Sequence, residues 1–126
     1  MRRQALILFT FIFISGFACS WNIYAQENIN PETEYQRIRT MAFSGDYTGA
    51  ATAARTLLKA YPSYGDARIL LGRILAWQKD YKQAAAVIDT LLQTEPGNAD
   101  ALAAKRDISL WSKENTPVST DIRAGY

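Results

Sequence analysis

The chain has 126 residues, of which 14 are basic and 12 acidic, giving a formal net charge of +2. It contains no histidine, and its one cysteine, Cys19, lies in an N-terminal segment that we expect to be removed, so the mature chain lacks the usual metal ligands, thiol nucleophiles and serine–histidine pairs. We therefore expect no enzymatic activity, no metal and no cofactor. A strongly basic balance, which is typical of nucleic-acid binding, is also missing, so we expect no nucleic-acid partner.

Residues 1–25 have the pattern of an export signal. Two arginines precede an apolar run from Ala5 to Ala18, and the small residue Ala25 ends the segment. The run has about 14 residues, whereas a membrane-spanning helix needs roughly 20, so cleavage is favoured over an uncleaved anchor. The sequence therefore predicts export to the periplasm or to the periplasmic face of the bacterial outer membrane, with residues 26–30 as a linker.

Cleavage after Ala25 would change both the thiol content and the charge. It removes Cys19, so the mature chain is expected to have no disulfide. Small residues beside Cys19 leave lipidation open as an alternative, against which the bulky Phe17 argues. Loss of Arg2 and Arg3 leaves 12 basic against 12 acidic residues, and the mature net charge is then zero.

Several residues recur 34 positions further along the chain, which is the length of a helical-hairpin repeat. Such a unit cannot bury its apolar face alone, so copies stack on one another and form a curved binding surface. The matched segments are Gly45-Asp46-Tyr47 with Lys79-Asp80-Tyr81, Ala50 with Ala84, Leu57-Leu58 with Leu91-Leu92, Tyr61-Pro62 with Glu95-Pro96, Asp66-Ala67 with Asp100-Ala101, and the aromatic series Phe43, Trp77 and Trp111.

The first hairpin begins with a helix predicted from about Glu32 to Ser44. Gly45 ends this helix by adopting a left-handed backbone, and Asp46 caps the next one. The second helix ends at Tyr61-Pro62-Ser63, because proline cannot continue the helical hydrogen bonds.

The second hairpin and one further helix follow the same plan. A helix is predicted from Asp66 to Gln78, Asp80 caps its partner, and a turn leads to a fifth helix from Ala99 to about Ser112. Small residues at Ala50, Gly72 and Ala84 predict that two helices approach closely at these positions.

Residues 114–126 do not continue the repeat pattern. Glu114-Asn115-Thr116-Pro117 is expected to break the helix, and the apolar residues from Val118 to Tyr126 alternate as in a β-strand. Two interpretations are open: the first strand of a missing β-barrel, or a disordered tail. The incomplete third hairpin also predicts weak self-association, because each end of the stack exposes an apolar face.

The second hairpin resembles the tetratricopeptide repeat (TPR). Leu71-Gly72, Leu75, Ala84, Ile88 and Pro96 match the family signature, although Arg68 replaces its usual tryptophan and Leu75 its tyrosine. The first hairpin matches at fewer positions, with Arg37-Ile38 in place of Leu-Gly. The resemblance implies an all-α fold, a right-handed superhelix of about two and a half TPR hairpins over residues 31–113.

A narrower resemblance is to the periplasmic repeats of YaiO-type outer-membrane β-barrel proteins. It is carried by Met41-Ala42-Phe43-Ser44-Gly45, by residues 66–73, by Leu75-Ala76-Trp77, by residues 98–102 and by Leu110-Trp111. It implies a role linked to an outer-membrane barrel or export assembly. It covers the repeats only.

The TPR resemblance also implies a binding site on the concave face, formed by the first helix of each hairpin. Arginines one repeat apart suit a carboxylate partner, and aromatic residues suit a peptide or sugar rings. Packing of the aromatics between hairpins, and solvation of the arginines or their pairing with Asp66 and Asp107, are the alternatives. The expected exposed positions are Tyr35, Arg39, Phe43, Ile69, Arg73, Trp77, Ala103, Asp107 and Trp111.

Three functions remain open from the sequence. The first is a non-enzymatic scaffold that binds a protein or peptide segment in its groove. The second is a module that contacts polysaccharide in an export system, and the third is a structural fragment of a longer barrel protein.

Overall fold

The computed structural model describes residues 28–116 and contains five helices there, with no β-strand in that range. The predicted all-α fold of stacked hairpins is confirmed. The predicted signal segment 1–25 and the alternating segment 118–126 lie outside the described residues. No helix within 28–116 is long and apolar enough to cross a bilayer. The helices are α1 (Pro31–Phe43), α2 (Tyr47–Ala60), α3 (Gly65–Trp77), α4 (Tyr81–Thr94) and α5 (Ala99–Asn115).

Side-chain caps fix the starts of four helices. The predicted caps are confirmed: an Asp46 carboxylate oxygen accepts from the Gly49 amide at 2.9 Å, and Asp80 accepts from the Gln83 amide at 3.1 Å. Asn30 and Asn98 cap α1 and α5 in the same way. These bonds satisfy amide groups that have no partner inside the helix, which sets where each of these four helices begins.

The two turns inside the hairpins share a left-handed residue. Gly45 has φ of 92°, as predicted, and Lys79 occupies the equivalent position 34 residues later with φ of 65°. A glycine adopts this conformation without steric cost, whereas a lysine does not. The second turn is therefore strained relative to the first.

The last helix ends within the predicted break at residues 114–117, but later than the end predicted near Ser112. The structure extends α5 to Asn115, three residues beyond Ser112. Thr116 then has φ of −75° and ψ of 119°, an extended backbone that is favoured because a proline follows it in the sequence.

Helix α3 lies at the centre of the molecule and contacts all four other helices. Eight of its 13 residues are buried, which explains why it is apolar on every side. It also contacts both α1 and α5, whereas α2 and α4 are not packed on one another and meet through Arg55, whose Nη2 donates to Oε1 of Gln83 at 3.5 Å. The first helices of the hairpins, α1, α3 and α5, therefore form one layer, and α2 and α4 form the other.

The predicted close approach at Gly72 is confirmed. A Cβ atom on Gly72 would lie 2.7 Å from Cδ1 of Ile88 and 3.5 Å from the carbonyl oxygen of Ala84. The equivalent pair in the first hairpin is Ile38 and Ala54, both 0% exposed. In the first hairpin the large residue lies on the first helix and the small residue on the second, and in the second hairpin this order is reversed. The exchange keeps the packed volume similar in the two hairpins.

Candidate functional site

An open cleft of about 330 Å³ lies between α1 and α3 on the layer formed by the first helices. Six of the predicted site residues meet there, because a spacing of four places residues on one side of a helix. We call this the α1–α3 cleft. Its lining residues are Tyr35, Arg39 and Phe43 of α1 and Ile69, Leu70, Arg73 and Trp77 of α3.

The aromatic residues of the cleft differ in exposure. The rings of Phe43 and Trp77 are 6.0 Å apart and inclined by 47°, and Tyr47 contacts Trp77 from the other hairpin helix at 5.8 Å. Trp77 is half-buried against the core, whereas Phe43 is 70% exposed. Trp77 therefore packs between helices, and Phe43 is the aromatic side chain that is open to solvent.

Arg39 lies on the α1 side of the cleft and has no ion-pair partner among residues 28–116. Its Cζ atom lies 5.9 Å from the ring centre of Tyr35 and 5.8 Å from that of Phe43, within the range of cation–π attraction. Its Nη1 donates only a 3.3 Å hydrogen bond to Gln36. Among residues 28–116 no carboxylate lies within 4.0 Å of it, so its charge is available to a ligand.

Arg73, one repeat further on, is partly engaged by α5. Its Nη2 lies 4.0 Å from Oδ2 of Asp107, and both side chains are about two-fifths exposed. The pairing of an arginine with Asp107, one of the alternatives left by the sequence, is therefore observed for Arg73. A pair this long and this exposed contributes little stability. The Nε of Arg73 is buried and has no hydrogen-bond partner within the described part of the chain.

Three predicted positions on α5, Ala103, Asp107 and Trp111, do not line the cleft, and one of the six that do is not exposed as expected. The expectation that Ile69 is exposed is wrong, because it is 7% exposed and lies at the base of the cleft. It lies in the central helix α3, which has α1 on one side and α5 on the other, whereas Tyr35 lies in the terminal helix α1. Ala103 and Trp111 are half-buried on α5 and do not line the cleft.

Two tyrosines support the α1 side of the cleft. The rings of Tyr35 and Tyr64 are 5.7 Å apart, and the Tyr64 hydroxyl donates to Oε2 of Glu32 at 2.8 Å. Burial raises the pKa of Tyr35, against which the nearby Arg39 charge acts. Burial, followed by the bond to Glu32, raises the pKa of Tyr64 to about 12. Both hydroxyls are therefore neutral near pH 7.

Sequence reasoning missed Leu70 and Tyr64. Leu70 is an ordinary core residue, and no sequence signal separates it from its neighbours. Tyr64 stands in the capping position that Asn30 and Asn98 hold in the other repeats, and α3 has no side-chain cap. A tyrosine at a position where asparagine recurs was a signal that could have identified it.

A family model described as "Tetratricopeptide repeat" matches residues 44–108, which include α2, α3, α4 and most of α5. The chain belongs to the tetratricopeptide repeat family. Members of this family are scaffolds for protein interaction, and this TPR protein has the stacked hairpins that such a role requires. No curated protein and no solved structure matches the chain.

Acidic residues of this TPR protein are not grouped as metal ligands would be. Within residues 28–116 no three histidine, cysteine, aspartate or glutamate side chains come together. The lining of the cleft offers electrostatic attraction by Arg39 and Arg73 and apolar contact with Phe43 and Trp77.

Proposed function

We propose that the α1–α3 cleft binds a short extended peptide segment in which a carboxylate lies beside an apolar side chain. The observation that carries this proposal is the position of Arg39, a cation without a carboxylate partner in the described chain, beside Phe43, which is 70% exposed. A guanidinium group donates two parallel hydrogen bonds to a carboxylate, and the phenyl ring contacts the apolar group.

The two arginines have different roles in this proposal. Arg39 makes the first contact, since its charge is free, and Arg73 contributes only after its long contact with Asp107 weakens. The negative charge of Asp107 disfavours a ligand with carboxylates along its whole length. The expected ligand therefore carries its carboxylate at the α1 end of the cleft, where Arg39 lies.

A titration of the intact protein tests the binding. The probes are a proline-containing peptide that ends in phenylalanine with a free carboxylate, and the same peptide with a C-terminal amide. Binding is followed by tryptophan fluorescence, to which Trp77 in the cleft contributes. We expect the amide to bind at least about tenfold more weakly, because a hydrogen bond to a charged group contributes about 1.5–3 kcal/mol.

Variants assign this preference to a residue. Arg39→Gln is expected to remove the difference between the two peptides, and Arg55→Gln, which changes an exposed arginine on α2, is expected to keep it. Equal binding of the two peptides by the unchanged protein would contradict the proposal.

We also propose that the protein works in the periplasm, linked to an outer-membrane barrel or export assembly. The arginine-led apolar segment before Ala25 and the YaiO-type resemblance support this location. Fractionation of bacteria that express the full chain tests it, with N-terminal sequencing of the recovered protein. A start at Gln26 is expected, whereas an acylated protein beginning at Cys19 that disappears in Cys19→Ser would indicate a lipoprotein, and full-length protein in the cytoplasm would refute export.

Polysaccharide binding is a second candidate, and the exposure of Phe43 is the observation that favours it. Against it, the Arg39 guanidinium already lies near the Phe43 ring, and Trp77 is tilted by 47° from that ring, so the two do not form a flat platform for a sugar. A fluorescence response to neutral glycans that Phe43→Ala abolishes would favour this candidate over the peptide. No response to either ligand class would favour a structural role.

A further inference from the structure

The outer side of α5 carries a stripe of basic and apolar side chains. Leu102 and Leu110 are 38% and 57% exposed, and Arg106 lies midway between them at the helical spacing of four. Lys113 continues the same line. A groove of about 430 Å³ lies along the stripe. We call this the α5 face and define it by the residues that line the groove: Leu102, Lys105, Arg106, Ser109 and Leu110.

The repeat register shows what this surface corresponds to in the preceding hairpin. Arg106 stands 34 residues after Gly72, the position where α3 meets Ile88 of α4. Lys105 and Ser109 likewise follow Leu71 and Leu75, which are buried. The α5 face is thus the surface on which a further hairpin helix would pack, and no helix within 28–116 covers it. Arg106 prevents a helix from approaching as closely as α4 approaches Gly72.

The charge of the α5 face identifies the kind of occupant. Lys105 Nζ lies 2.6 Å from Oδ1 of Asp89, so its charge is partly compensated. Arg106 has no carboxylate within 4.0 Å among the described residues. An occupant that packs on Leu102 and Leu110 therefore needs a negative group opposite Arg106, since a desolvated charge without a partner is costly.

Neither a second copy nor residues 117–126 matches that charge as well as an acidic partner does. A two-fold contact between copies centred on this face would place Arg106 against Arg106, and like charges across an interface are unfavourable. Residues 117–126 carry one acidic residue, Asp121, beside the basic Arg123, so this segment has no net charge and is less complementary to the basic α5 face than an acidic helix is. We propose that the α5 face binds an acidic amphipathic helix of a partner protein, with apolar side chains on Leu102 and Leu110 and a carboxylate on Arg106.

A pair of designed helical peptides tests this with the full chain. One has leucine on one side and glutamate elsewhere, and the other has lysine in place of every glutamate. We expect the glutamate peptide alone to bind in a fluorescence anisotropy titration, and Arg106→Glu to weaken it by about tenfold or more. Arg55→Glu on α2 and Arg39→Gln in the cleft are the matched controls and should leave binding unchanged, which separates this surface from the proposed peptide cleft.

Two results would overturn the proposal. The first is equal binding of the lysine peptide, or no effect of Arg106→Glu. The second comes from the free protein: Leu110→Gln should leave the melting temperature unchanged within about 2 °C, because the side chain it replaces is exposed and glutamine is nearly as good a helix former as leucine. A larger fall that depends on protein concentration would assign the face to a second copy, and one independent of concentration would assign it to this chain's own residues.

Discussion

Replacing Gly72 by alanine is expected to lower the stability of this protein, although alanine is the better helix former. Alanine in place of glycine inside a helix contributes about 1 kcal/mol. The new methyl group, however, would lie 2.7 Å from Cδ1 and 2.9 Å from Cγ1 of Ile88, well below the 3.5–4.0 Å at which carbon atoms attract. The sign of the effect depends on whether Ile88 is able to move.

The surroundings of Ile88 prevent an inexpensive adjustment. Its side chain is 0% exposed, and a β-branched residue in a helix has nearly one allowed χ1 rotamer. Overpacking of this kind costs about 1–3 kcal/mol, so over most of this range the cost is larger than the gain of about 1 kcal/mol in helix propensity. The net loss is then about 1 kcal/mol, equivalent to roughly 4–8 °C in melting temperature for a domain of this size.

Urea unfolding followed by far-ultraviolet circular dichroism measures the effect. Gly65→Ala is the matched control on the same helix, because its new Cβ would lie 3.5 Å from Leu91, an ordinary contact. This control is expected to stabilise the fold by about 0.4–1 kcal/mol. Adding Ile88→Val, which deletes the nearest atom, should reduce the penalty of Gly72→Ala. Stabilisation by Gly72→Ala alone, or no coupling between the two changes, would refute the packing argument.

Three further effects follow from the turns and caps. Lys79→Gly should raise the free energy of unfolding by about 1 kcal/mol, because φ at this residue is 65° and glycine adopts that conformation without steric cost. Gly45→Ala should lower the free energy of unfolding, because φ there is 92° although the space around the position is open. The urea midpoints of both variants check the pair. Asp80→Ala should cost about 1 kcal/mol by removing the cap on the Gln83 amide, whereas Asp80→Asn should cost much less in the same assay. The raised pKa of Tyr64 means that its neutral form stabilises the folded state. This contribution is complete below pH 10 and is lost as pH rises toward 12. The Tyr64→Phe variant should therefore lose less stability than the unchanged protein between about pH 10 and pH 12. An equal loss in both proteins would mean that Tyr64 does not titrate differently in the folded state.

The sequence predicts the hairpins well because their boundaries depend on local chemistry. Asp46, Asp80 and Gly45 act through bonds and dihedral angles within a few residues, so their effects are visible in the sequence. Helix α5 runs past the end predicted near Ser112 because Lys113 and Glu114 are good helix formers, and the proline at 117 disfavours helical backbone only at the residue before it, Thr116.

The site was predicted less completely because exposure depends on neighbouring helices. Six predicted residues do line one cleft, since the spacing of four fixes which side of a helix they share. Ile69 is buried because α3 has α1 on one side and α5 on the other. These three helices belong to different repeats, so the pattern of one repeat does not reveal the burial. The Arg73–Asp107 contact likewise joins residues on different hairpins. Whether these residues bind a ligand stays a prediction.

Positions that change between repeats carry more information about partners than positions that recur. Ile38, Gly72 and Arg106 occupy one position of the repeat. The change to a charged residue falls in α5, which packs on α3 and α4 but has no second helix of its own hairpin within 28–116. The next position holds Arg39, then Arg73, then Asp107, so the charge of the inner layer reverses along the stack. Backbone geometry at these positions is set by the repeat, whereas their side chains are free to differ. A ligand that follows the inner layer therefore meets positive charge at α1 and negative charge at α5, which favours one direction of binding over its reverse.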